Sequence, residues 1–245
     1  MIQANHTKWA EFVFSSYITR LLNKNFHSFH LMGEPPNIDQ NRPVLLAPNH
    51  SSWWDGFFVY LLNKKLLHRK IFLMMLEEQL RKYKFFAKVG AYSIDPNSRN
   101  KIIESLRYTL SVLQNEQDSN HPQLICIFPQ GELQAFHKRP LEFKGGIEWL
   151  ISKYKREVQI LLLAMRIEFL EEQFPHVFFM FDKTIKVDHE SFKGMDWLVE
   201  REVNLLNQLE KKIIDKKQSI ISWPGRESVH SRFDHFRQKL KLHGE

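Results

Sequence analysis

Two short stretches hold side chains whose types and spacing suit them to chemistry. The first is Asn49-His50-Ser51-Ser52-Trp53-Trp54-Asp55. Histidine is the side chain best fitted to move a proton near neutral pH, which makes His50 a candidate base. An acid five residues on can fold back in the first turn of a following helix and accept from one imidazole nitrogen. That fixes the tautomer, leaves the other nitrogen as the base and stabilises the imidazolium, as the His–Asp pair of a hydrolytic triad does. The spacing alone is a weak signal. Ser51 and Ser52 are nucleophiles by type, but side chains adjacent to His50 in sequence point elsewhere. The second stretch is Ile127-Phe128-Pro129-Gln130-Gly131-Glu132-Leu133. A Pro-x-Gly turn there would end strand pairing and turn backbone N–H groups toward the strand ends, where such groups bind an oxyanion or a phosphate.

The elements that must hold these stretches can be read from the hydrophobic pattern. Short buried strands are predicted over 43–48, closed by proline at both ends, and over 71–75, 124–128, 160–165 and 177–181. Helices are predicted over 9–22, 54–67, 77–88, from an N-cap at Ser98 to about 115, over 145–155, and from about 195 with a break at Trp223-Pro224-Gly225. Strands interleaved with helices give an α/β fold in one domain, 1–245: a mixed, mostly parallel sheet covered by helices on both faces. It divides into an N-terminal helical segment, 1–34, a central core, 43–185, and C-terminal helices, 195–245. Both motifs directly follow a buried strand, and ligands of open α/β folds bind at the carboxyl ends of strands. In the segment 9–22, Trp9, Phe12, Val13 and Tyr17 add to Ala10, Phe14, Ile18 and Leu22 to make a broad apolar surface. It fits a helix packed on the core or one that dips into a membrane interface.

The chain has 245 residues with 35 Lys and Arg against 28 Asp and Glu, a formal charge of +7 that suits acidic partners: nucleic acid, anionic lipid or an acidic carrier protein. Its 20 Phe and 6 Trp fit a membrane-facing surface or an acyl-chain pocket, and equally a plain aromatic core. A single cysteine, Cys126, excludes an internal disulfide framework and a cysteine-based zinc cluster; inside an apolar strand it is expected to be inert packing. His27 and His30, at helical i, i+3 spacing, and the group His230, Asp234 and His235 are of metal-ligand type. No third ligand stands at a matching spacing, so no metal is expected. The pairs Lys211-Lys212 and Lys216-Lys217 read as a solvated helix face. No segment approaches the ~18 apolar residues of a membrane span, and the N-terminus lacks a signal-peptide pattern. The expected location is therefore peripheral, on the cytoplasmic side of a membrane. A basic nucleic-acid-binding module would leave both strand-end motifs unexplained, and no nucleic-acid motif is present, so nucleic acid is not an expected partner.

Taken together, a strand followed by Asn-His-x4-Asp and a later strand followed by Phe-Pro-x-Gly resemble the glycerolipid and lysophospholipid acyltransferase family. Gly90-Ala91-Tyr92-Ser93-Ile94-Asp95, Phe143-Lys144-Gly145-Gly146 and Leu163-Ala164-Met165-Arg166-Ile167-Glu168-Phe169 resemble further blocks of that family, in the same order, and the likeness spans 43–185. The resemblance implies transfer of a fatty acyl group from a thioester, on acyl carrier protein or coenzyme A, to a hydroxyl of a lipid acceptor. His50 would be the general base and Asp55 its orienting partner. Attack would be direct, without an acyl-enzyme and without a metal or bound cofactor. Gln130, Gly131, Glu132, Arg99, Lys144 and Arg166 would bind the oxyanion or the acceptor. The chain departs from the family's usual Phe-Pro-Glu-Gly-Thr-Arg. Gln130 replaces the acid, Glu132 the threonine, and Leu133 the arginine that would face an acceptor phosphate. Pro96 stands where a basic residue is common, with Arg99 three positions on, and Leu162 where a proline is common. Without a bidentate arginine, two kinds of acceptor stay open: lysophosphatidic acid held by Arg99, Lys144 or Arg166, or a phosphate-free glycolipid or aminolipid. A degenerate member that binds lipid or carrier without turnover also stays open.

Overall fold

Uninterrupted apolar runs are suited to strands buried on both faces, and they form the centre of the sheet. The computed structural model describes residues 1–115, 122–227 and 229. In chain order the elements are α1 (Lys8–Asn25), β1 (Ser28–Leu31), β2 (Val44–Pro48), α2 (Asp55–Leu62), β3 (Lys70–Leu76), α3 (Glu77–Lys82), β4 (Ala91–Ile94) and α4 (Arg99–Gln114). There follow β5 (Gln123–Cys126), α5 (Gly146–Lys153), β6 (Val158–Glu168), β7 (His176–Phe181), β8 (Ile185–Val187), α6 (Met195–Ile214) and β9 (Ile221–Pro224).

The strands form one sheet of nine, in the order β4-β3-β5-β2-β6-β7-β1-β9, with β8 pairing β6 off this path. β4, β3, β5, β2 and β6 run parallel. β7 turns back against β6, β1 runs parallel to β7, and β9 is antiparallel to β1. Alternation along β6 sorts the core. Ile160, Leu162 and Ala164 face a layer built with α4, α5 and α6. Leu161, Leu163 and Met165 face α1 and α2. This is the single-domain α/β architecture expected, with helices on both faces. Among the described residues no helix is long and apolar enough to cross a membrane.

The five long apolar runs are strands, and the predicted Ser98 cap accepts from the Lys101 amide at 3.5 Å. Other expectations need correction. The segment expected to be one helix over 77–88 is α3 followed by a 3-10 turn, Lys84–Val89, and ends on Gly90 at φ 103°, with Ile71 O only 2.1 Å from where a Cβ would lie. His27 and His30 do not share a helix face, because His30 lies on β1 with His27 just before it. The break at Trp223-Pro224 is β9, an edge strand that exists through its pairing with β1. His230, Asp234 and His235 lie outside the described residues.

Candidate active site

Because β2 to β6 are parallel, the residues that follow them meet on one edge of the sheet. Asn49 comes first. β2 leaves β6 there, but the Asn49 side chain carries the ladder on: its Nδ2 donates to Met165 O at 3.1 Å and its Oδ1 accepts from Met165 N at 2.7 Å. The backbone is thus free to turn outward at His50 while the N–H and C=O of Met165 on β6 stay paired.

The His50 ring is held by two contacts, one at its edge and one on its face. Nδ1 lies 2.9 Å from Asp55 Oδ2. That oxygen also accepts from the amides of Ser51 at 2.8 Å and Ser52 at 2.9 Å, and Oδ1 accepts from Ser52 Oγ at 2.6 Å. The Asp55 side chain is 2% exposed and that of His50 22%. Asp55 opens α2, where the helix dipole favours a negative charge. An ionised carboxylate can only accept, so the bond to it requires the hydrogen on Nδ1, and in the neutral ring Nε2 then keeps its lone pair. Phe128 stacks on the imidazole, with centroids 4.0 Å apart and an interplanar angle of 21°. Ser52 serves Asp55, and neither serine hydroxyl bonds to His50.

The turn after β5 clasps the His50 backbone. Gln130 Oε1 accepts from His50 N, and Gln134 N donates to His50 O at 2.9 Å. Gln130 Nε2 donates to Gln134 Oε1 at 3.0 Å, and Gln134 Nε2 donates to Glu132 Oε1 at 3.1 Å. Gln130 and Gln134 are buried. Gly131 has φ +73°, and a Cβ on it would come within 3.1 Å of Lys144 Cγ, so the lysine stem lies across the glycine. The bond from Gln134, together with Lys138, holds the Glu132 carboxyl below its ordinary pKa.

The expected site residues therefore divide. His50, Asp55, Gln130, Gly131, Glu132 and Lys144 come together. Within that group two polar groups already have partners in the protein. The Gly131 amide donates to Phe128 O at 3.0 Å. The Gln130 amide is engaged at both ends by protein. Arg166 lies on β6, next to Met165. Its guanidinium pairs with Glu168 and lies 2.9 Å from Glu210 Oε1, 4.2 Å over the Phe136 ring, so its charge is already matched. Arg99 is exposed at the start of α4, beyond β4, with β3 and β5 between that strand and β2. At that margin the ends of β3 and β4 frame a cleft of about 390 Å³ lined by Leu76, Glu77, Arg81, Asp95 and Lys101. Gln134 and Phe128 were not foreseen as contributors to the site. Neither residue type signals such a role, though both lie in or beside the second motif. Cys126 is fully buried, which pushes its thiol pKa up and fits inert packing.

Comparison with known proteins follows the same lines. Residues 31–161 match the Acyltransferase family. A search of curated proteins found no match. Among solved structures, the chain is similar in fold to the 1-acyl-sn-glycerophosphate (LPA) acyltransferase, PlsC, from Thermotoga maritima. The TM-score is 0.54 at 15% identity, covering 83% of this chain and 81% of that one.

Proposed function

The chain belongs to the Acyltransferase family, and from that premise we propose that it moves a fatty acyl group from an acyl thioester to a hydroxyl of a lipid acceptor. The observation that carries this reading is the imidazole of His50, bonded through Nδ1 to buried Asp55 and with Nε2 left free at the carboxyl edge of the sheet. Nε2 takes the acceptor's hydroxyl proton as that oxygen attacks the thioester carbonyl. The tetrahedral intermediate collapses with loss of the thiolate, which recovers the proton from the imidazolium. Asp55 stabilises the imidazolium between the two steps. Positive charge on Lys144, whose stem crosses Gly131, supports the oxyanion. The donor is acyl carrier protein or acyl-coenzyme A, and the reading needs no resident cofactor.

The lipid reaches this edge from a membrane surface. α1 buries Ala10, Phe14, Ile18 and Leu22 and turns Trp9, Phe12, Val13 and Tyr17 to solvent, flanked by Lys8, Arg20 and Lys24. Such a face suits an interface between head groups and acyl chains, with the basic residues near anionic lipid. Ring contacts run from exposed Trp53, three residues past His50, through Phe57 to Phe14 of α1 and Phe86. They provide apolar ground between that face and the base. The proposal therefore includes peripheral membrane attachment.

Incubating the purified protein with labelled acyl thioester and a total lipid extract, then identifying the labelled product by mass spectrometry, tests the reading. A labelled lipid ester formed by wild type and lost in His50→Ala supports it. Equal label from both proteins, or none from wild type, overturns it.

A further inference from the structure

The hydrogen bonds around His50 form a directed chain that ends far from the ring. A backbone N–H only donates, so His50 N must meet the oxygen of Gln130. That turns Gln130 Nε2 toward Gln134, which must answer with its own oxygen, at 3.0 Å. Gln134 is then left with its NH₂ group facing outward, and that group finds the carboxylate of Glu132 at 3.1 Å. Each link has one possible polarity, and the chain needs an acceptor at its end. The same Gln134 closes a loop by donating its backbone N–H to His50 O at 2.9 Å. Gln134 is 7% exposed and Gln130 3% exposed, so water cannot readily replace either partner if one is lost.

We infer that Gln134 is a positioning residue for the transfer reaction: with Gln130 and Glu132 it locks the backbone of His50, and so fixes where Nε2 meets the acceptor. The inference rests on the acyl-transfer reading for its kinetic arm. Asp55 and Phe128 set the rotation and tilt of the ring. The clasp on His50 N and O sets the point from which the ring projects. With Gln134 truncated, Gln130 has a buried unpaired NH₂ group, swings to satisfy it, and releases His50 N. Displacement of a reacting group by about 1 Å costs on the order of 10²-fold in rate.

The polarity of the chain supplies a test that simple loss of packing would not pass. Gln134→Leu breaks both side-chain links. Gln134→Glu keeps the acceptor for Gln130 but sets a carboxylate against Glu132. Glu132→Gln combined with Gln134→Glu reverses the last link and restores it. Expected results are a kcat lower by about 10²-fold in Gln134→Leu, with KM for donor and acceptor little changed. Gln134→Glu is also slowed, and the double variant returns to the level of Glu132→Gln alone. The ¹H–¹³Cε1 NMR resonance of His50 follows the same order without any substrate: displaced in both single Gln134 variants and restored in the double. A kcat in Gln134→Leu equal to wild type, or a double variant no better than Gln134→Glu, overturns the inference. If wild type transfers no acyl group, the functional reading fails. The resonance then still decides this inference, which a signal unmoved by Gln134→Leu would refute.

Discussion

Glu202 lies on α6 with none of its surface exposed, and neither carboxyl oxygen has a hydrogen-bond partner among the described residues. Burial pushes its pKa from 4.5 up to about 8; Asp182 adds to the rise and Arg139 opposes it. The folded chain therefore keeps a proton that the unfolded chain releases. Stability from this group is fully present below about pH 4.5 and is lost as pH rises toward 8. Each pKa unit corresponds to ~1.4 kcal/mol, so the whole span is worth about 5 kcal/mol, of which about 3 kcal/mol is already lost at pH 7. Glu202→Gln keeps the shape and removes the titration. Urea unfolding of both proteins reads the effect. The stability of the variant relative to wild type should grow by about 4 kcal/mol between about pH 5 and pH 9. Taking the difference between the two proteins cancels the titration of other carboxylates. A difference that stays flat across that range would refute the reasoning, because it would mean Glu202 ionises in the fold as readily as in the open chain.

Three further outcomes are expected. Asp55→Asn cannot accept at both oxygens the protons of two amides, a hydroxyl and an imidazole, so transfer should fall by ~10²–10⁴-fold with substrate binding retained; steady-state kinetics with a labelled thioester would show it. Asn49→Ala strips Met165 of partners for its buried N–H and C=O, and should cost about 1–3 kcal/mol for each unpaired group, seen as a lower urea midpoint. Phe12→Glu, at a position 75% exposed on α1, should weaken sedimentation with anionic vesicles while leaving the thermal midpoint unmoved; vesicle binding equal to wild type would count against membrane attachment through this face.

Much of this architecture could be read from residue types, and the failures have physical causes. β2, β3, β5, β6 and β7 are apolar over enough residues that burial alone declares them. β1, β4, β8 and β9 are three or four residues long. Their strand state comes from partners distant in sequence: Ser28 pairs with Pro224 and with His176. No local pattern carries that information. His50 and Asp55 stand out in the sequence because few other residue types are capable of proton chemistry, and the structure brings the two side chains together. Arg166 is of anion-binding type, but that Glu210 of α6 lies beside it depends on the fold and leaves no local trace. Gln134 is the converse case, a residue with no chemical signature whose role follows from the loop folding back on His50.

The Asn49 amide has a consequence for how this scaffold tolerates change. Since a side chain, rather than another residue of main chain, closes the β2–β6 seam, the tether between sheet and imidazole is one residue long. An insertion there would let the base wander. Length variation is better absorbed past Gln134, where the chain has already fastened itself to His50 and runs on toward Lys144. Swapping that outer loop should therefore leave His50 and Asp55 in place.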